Sequence, residues 1–143
     1  MIYKEIPENF NPKFEVVSCY LEHNGNILML HRNDTKPEGN TWGLPAGKLD
    51  GDENIMEAMA REIFEETGYE TELSELKYLD KVYVKYPDYS FVYHMFKIIL
   101  DSRPEIKVSP KEHKNYQWVT PQEALNLNYI EDLDACIKLS YGI

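Results

Sequence analysis

Two short apolar runs come first along the chain. FEVVSCYL (residues 14–21) and NILMLHR (26–32) are rich in β-branched and aliphatic residues, with His-Asn-Gly-Asn between them, which predicts a hairpin. The loop NDTKPEGNT and then WGLPAGK carry proline and glycine too often for any regular element, so this stretch must fold tightly against its surroundings. Met56, Met59, Ala60, Ile63 and Thr67 then recur at helical spacing. Asn54 with Glu57 three residues later suits an N-cap and capping box, and Gly68 suits the C-terminal cap, so a helix is expected over about residues 55–66. From 77 to 100 tyrosines alternate with aliphatics around Tyr-Pro-Asp-Tyr, the pattern of a second, longer hairpin. NYQWV is a short strand, Thr120-Pro121-Gln122-Glu123 opens a helix, and a last helix is expected over residues 131–140. No repeat or linker interrupts the 143 residues, which read as one α/β domain spanning 1–143.

Composition narrows the function. Acidic residues outnumber basic ones by 25 to 15, a formal net charge of -10, so the average surface repels nucleic acid and anionic membranes. A polyanionic substrate would need a metal or a basic pocket. Cys19 and Cys136 lack metal-ligand spacing and read as free thiols in a reducing compartment. The amino terminus lacks a basic and apolar leader pattern, and no apolar run reaches membrane-spanning length. The expected setting is cytoplasmic, without a membrane or nucleic-acid partner. The oligomeric state stays open between monomer and homodimer.

The stretch GKLDGDENIMEAMAREIFEETGYE sets six glutamates on and around the predicted helix. Like charges one turn apart repel, and a purely structural helix gains nothing from them. Glu62, Glu65 and Glu66 stand at i, i+3 and i+4, on one side of the helix. A rotation of about 100° per residue sets Glu66 beside the Met59 and Ile63 edge of the core stripe, with Glu65 further into solvent. A carboxylate against an apolar stripe is costly unless it is paired or bound to a cation. Arg61 can offset one of them, reaching Glu65 at i+4 or Glu57 at i-4. Hard oxygen ligands in a cluster suit Mg²⁺ or Mn²⁺, not zinc.

These residues carry a family resemblance. Gly47, Glu53, Arg61, Glu62, Ile63, Glu65, Glu66 and Gly68 all fall on the fixed positions of the Nudix box, G-x5-E-x7-R-E-φ-x-E-E-x-G-φ, with Tyr69 in place of the final aliphatic residue. The resemblance implies an α/β/α sandwich with a mixed sheet that hydrolyses a pyrophosphate bond in a nucleoside diphosphate linked to another group. It implies metal ligation by Glu62, Glu65, Glu66 and the Gly47 carbonyl, with Mg²⁺ or Mn²⁺ as the cofactor and Arg61 orienting the carboxylates. Glu53 is a partner for Arg61 or a first-turn glutamate favoured by the helix dipole. The proton acceptor is Glu62 or Glu112, the latter in SPKEHKNYQW. Arg32 and Lys48 are candidates for phosphate contact, while His23, His31, His94 and His113 share no metal-like spacing and read as structural or surface residues.

The expected substrate is a small nucleotide, most simply a nucleoside triphosphate. Dinucleoside polyphosphates, ADP-ribose or sugar nucleotides are the alternatives, and a non-catalytic nucleotide-binding domain is a third reading. Tyr86 resembles the mark of dinucleoside polyphosphate hydrolases, but tyrosines at 83, 86, 89 and 93 make that position undiagnostic. Trp42, Tyr83 and Trp118 could stack on a base, although core or hairpin packing accounts for each.

Overall fold

Two strands that start as neighbours and then diverge create the architecture. In the computed structural model, which describes residues 1–143, β1 (Ile2–Tyr3) is followed by β2 (Phe14–His23) and β3 (Asn26–Arg32). β2 and β3 pair only at Glu22↔Ile27 and His23↔Asn26, beside the turn. Asn24 and Gly25 form that turn with φ of 48° and 80°, the left-handed pair that a two-residue hairpin requires. The expected first hairpin is therefore real at its tip and absent along its length. In the wedge between the diverging strands sit β4 (Trp42–Gly43), paired with β3, and β5 (Ala46–Lys48), paired with β2. The Pro- and Gly-rich stretch fits there because it needs only two short contacts with its neighbours.

The second hairpin forms as expected from β6 (Lys77–Lys85) and β7 (Ser90–Ile99). β7 runs parallel to β2 along nine paired residues, whereas the other pairings are antiparallel, so the sheet is mixed. β8 (His113–Val119) adds to the far edge of β3.

Alternation along the central strands divides the core in two. Val17, Cys19 and Leu21 of β2, Leu28 and Leu30 of β3, and Phe96 and Ile98 of β7 pack on one face with Met59 and Ile63 of α1 (Ile55–Thr67). Tyr20, Ile27, Met29, Tyr93 and Met95 point to the other face, which is covered by Ala124 of α2 (Pro121–Ala124) and by Leu133, Cys136 and Ile137 of α3 (Leu133–Tyr141). The result is an α/β/α sandwich.

Asn54 caps α1 by accepting from the Met56 N–H at 2.8 Å, and Gly68 ends it with φ 79°, one residue later than expected. The Glu57 half of the predicted capping box does not form. Ala58, Met59, Ile63, Glu66 and Thr67 are the buried positions, so the buried face includes Glu66, while Met56 and Ala60 are only partly covered. At α2 the Thr120 and Glu123 capping box is complete, yet the helix lasts four residues. α3 begins at Leu133, later than expected, because Asp132 takes a left-handed conformation with φ 66°. Both cysteines are free and buried. No helix is long and apolar enough to cross a membrane.

Candidate active site

The wedge between β2 and β3 opens at one end into a cavity of about 800 Å³. Its walls bring together residues from distant parts of the chain: Arg32 at the end of β3, Gly47 and Lys48 of β5, Glu62, Glu65 and Glu66 of α1, and Ser109, Glu112 and His113 at the start of β8. Every metal-ligand, proton-acceptor and phosphate-contact candidate from the sequence lines this cavity, and Arg61 bonds to Glu62 and Glu65 from behind it.

Gly47 of β5 pairs with Val17 of β2, and a side chain there would overlap the Glu62 carboxylate. Glycine is thus required for α1 to lie so close to β5. One residue earlier, the Ala46 N–H donates to Glu66 Oε1 at 2.9 Å. Glu66 is only 7% exposed and has no cationic partner in contact. Burial pushes its carboxyl well above the ordinary range; the Ala46 N–H pulls it down, and the neighbouring charges of Glu62 and Glu112 raise it further.

Arg61 organises the other carboxylates. Its Nε donates to Glu53 Oε2 at 2.8 Å and its Nη2 to Glu53 Oε1 at 2.9 Å, a bidentate pair. Nη1 reaches Glu62 Oε1 at 2.8 Å and Glu65 Oε2 at 3.3 Å, and Nη2 also donates to the Lys48 carbonyl at 3.2 Å. Glu57 is not a partner; Glu53, reached across the loop, takes that role. Bonding to Arg61 holds the Glu53 carboxyl down at about 2. Glu62 moves the opposite way, because burial outweighs the lowering by Arg61.

No three His, Cys, Asp or Glu side chains converge here as a ready cation cage. Arg61 draws Glu62 and Glu65 to itself, and an ion would have to share them. The donor set still fits a hard divalent cation. It is all oxygen, it carries more negative charge than one guanidinium offsets, and the bare Gly47 backbone lies against Glu62.

The remaining candidates separate. Arg32 bonds the Pro37 carbonyl through Nε at 3.0 Å, and its guanidinium stands near enough to Glu66 to lower that carboxyl. Lys48 lines the cavity, with its ammonium held 4.1 Å over the Phe14 ring. Glu112 also lines it and pairs with Lys36 at 3.1 Å. Trp42 stacks on His31 at 4.3 Å, Tyr83 packs edge-on against Phe10, and Arg103 lies over Trp118, so the three aromatics serve packing, as expected. Tyr86 donates to Asp132 at 3.0 Å. Tyr69 packs behind α1 and donates to Glu75, so its departure from the motif concerns packing and not the cavity.

One histidine departs from the structural role expected of all four. His113 is 4% exposed and lines the cavity, and its Nδ1 has no hydrogen-bond partner. Sequence spacing gives no sign of this, because His113 reaches the site only through its pairing with Arg32 across the β3–β8 ladder.

The NUDIX domain family model matches residues 12–138. The chain belongs to the Nudix family. This Nudix hydrolase is 27% identical over 113 residues to the CTP pyrophosphohydrolase of Escherichia coli, covering 78% of each chain. Its fold matches the MutT protein of Methanosarcina mazei with a TM-score of 0.78, at 23% identity over 90% of this chain and 93% of that one. A bifunctional NMN adenylyltransferase/ADP ribose pyrophosphatase of Francisella tularensis, in complex with AMP and a manganese ion, matches with a TM-score of 0.73 and 28% identity. That match covers 92% of this chain but 42% of the larger Francisella protein. The reaction class of the present chain is hydrolysis of nucleotide pyrophosphate bonds.

Proposed function

We propose that this Nudix hydrolase cleaves a phosphate anhydride in a nucleoside triphosphate or a related nucleotide, with Mg²⁺ as its cofactor and Mn²⁺ as a substitute. One observation carries this reading: Glu66 is buried without a cation, next to Glu62, in a cavity large enough for a phosphate chain. The Gly47 carbonyl and the carboxylates of Glu62, Glu65 and Glu66 would hold the ion. Once bound, a divalent cation supplies charge stabilisation to the anhydride oxygens and acidifies water.

The protein's own groups do the rest. Arg61 fixes Glu62 in orientation through Glu53 and the Lys48 carbonyl. Arg32 brings positive charge to the phosphates from the end of β3, and Lys48 does so from β5 when its ammonium swings off the Phe14 ring. Glu112 takes the proton of the attacking water, since Glu62 is largely covered against Arg61 and would hold the ion, whereas Glu112 is nearly half exposed and pairs only with Lys36. The nucleobase would lie in an adjoining apolar cleft of about 110 Å³ that shares Ile130 with the main cavity and is lined by Tyr86, Tyr89, Phe91 and Tyr93. Two buried free cysteines suit a reducing, cytoplasmic setting.

A second reading, a dinucleoside polyphosphate, draws on a shelf beside Lys48 formed by Lys13, Phe14 and Tyr89, where a second base could stack. The test incubates nucleoside triphosphates, dinucleoside polyphosphates, ADP-ribose and sugar nucleotides with and without Mg²⁺ and resolves the products by chromatography. Metal-dependent cleavage of the triphosphates first is expected. Preference for the two-based compounds would favour the second reading, and cleavage of none with Mg²⁺ bound would leave a binding domain.

A further inference from the structure

His113 has two ring nitrogens in different surroundings, and the difference assigns its proton. Nδ1 is buried and has no partner. Nε2 also makes no protein hydrogen bond, but it is not among the buried unpartnered atoms, so it keeps the ring's small remaining exposure and faces the cavity that His113 lines. A stranded N–H is the rarer and more costly orphan, so Nδ1 keeps its lone pair and the proton sits on Nε2. Full protonation would add a stranded N–H at Nδ1, beside the Arg32 charge. Burial and that charge accordingly pull the imidazolium down to about 4. At neutral pH His113 is thus a neutral N–H donor aimed at the site.

What it faces decides its partner. The α1 wall of the cavity is acidic, while the β3–β8 wall carries Arg32 directly across the ladder from His113, and the one carboxylate on that side, Glu112, is paired with Lys36 at 3.1 Å. A donor beside a guanidinium, opposite carboxylates that call for a cation, is placed to receive an anion. We propose that His113 is a phosphate-contacting residue whose Nε2–H bonds an oxygen of the bound phosphate chain. This rests on the nucleotide-hydrolase reading for the identity of the ligand.

Two substitutions separate this role from simple packing. His113→Gln offers an amide N–H near the position of Nε2, whereas His113→Leu fills the space without a donor. Calorimetric titration with inorganic pyrophosphate and Mg²⁺ should show affinity falling about tenfold or more in His113→Leu and largely restored in His113→Gln. On a nucleotide that the wild type cleaves, KM should rise by a similar factor with kcat nearly unchanged, since the bond is made in the ground and transition states alike. Thermal melting of His113→Leu should be no lower than wild type, because the variant also removes the orphan Nδ1. Equal pyrophosphate affinity in wild type and His113→Leu would overturn the proposal. A wild type that cleaves no nucleotide but loses pyrophosphate affinity in His113→Leu would instead overturn the hydrolase reading alone.

Discussion

Two polar clusters, one on the sheet and one on α1, follow opposite rules. In one, His94 is flanked by the Tyr78 hydroxyl at 2.8 Å on Nδ1 and the Glu15 carboxylate at 2.7 Å on Nε2, so each ring nitrogen has a partner. In the other, Arg61 meets Glu53, Glu62 and Glu65, with Asp50 at 3.6 Å, while Glu66 stands beyond its reach. The first is complete in itself. The second holds more negative charge than its one cation can offset, and it borders the main cavity. Burying polar groups is tolerable when every one is satisfied. A surplus that persists next to a cavity therefore points to chemistry, whereas a closed network points to structure.

The most direct way to break this contrast is to remove the surplus. Glu66→Gln keeps an acceptor for the Ala46 N–H but loses a buried charge. Turnover should fall by about 10²–10⁴, with no loss of thermal stability in metal-free protein. Initial rates and melting curves measured together check this. A fully active variant would remove Glu66 from the machinery.

Arg61→Ala should act on both counts. It strands Glu53 and Glu62, whose carboxylates are each less than one-fifth exposed. A loss of about 1–3 kcal/mol is expected in urea denaturation, together with a fall in rate as Glu62 loses its orientation. Unchanged stability would mean that water replaces the guanidinium without penalty. In the closed cluster the prediction is smaller and one-sided. Tyr78→Phe should cost about 1 kcal/mol and leave kcat and KM as they are. A drop in activity would show that the closed network also serves the site.

How far the sequence already revealed this division depends on the range of the interactions. Local signals were faithful: Asn54 and Gly68 bound α1, the Tyr-Pro-Asp-Tyr turn joins β6 to β7, and Glu66 lies at the edge of the core stripe where helical rotation puts it. The motif residues Gly47, Glu62, Glu65 and Glu66 come together because one short strand and the helix that follows it carry them all. What escaped was non-local. Strand pattern cannot reveal that β2 and β3 part after two pairs, since either strand could extend its pairing or take a new neighbour. The same blindness hid His113, which stands opposite Arg32 only because β8 pairs with β3. The Arg61–Glu53 pair lies between the local and the non-local: the motif offers it as one of two roles for Glu53, but the loop fold and not helix periodicity selects it over Glu57.

Acid sharpens the comparison last, since it probes Glu53 and His113 in separate windows. The Glu53 carboxyl lies at about 2 against an ordinary 4.5, so its pairing with Arg61 is fully present above pH 4.5 and is lost as pH falls through about 2. His113 lies at about 4 against an ordinary 6.5. The folded state disfavours its proton, so its contribution is whole above pH 6.5 and disappears as pH falls through 4. Burial has raised Glu62 and Glu66, which favours folding in acid and opposes that decline. The difference between two proteins is therefore the cleaner readout. Between pH 6.5 and 4 the melting temperature of wild type should fall relative to His113→Leu. The gap between wild type and Glu53→Gln should stay constant from pH 6.5 to about 4.5 and close only below that. Parallel curves for wild type and His113→Leu would mean that the imidazole gains its proton without penalty, and so is not the dry, neutral donor its surroundings describe.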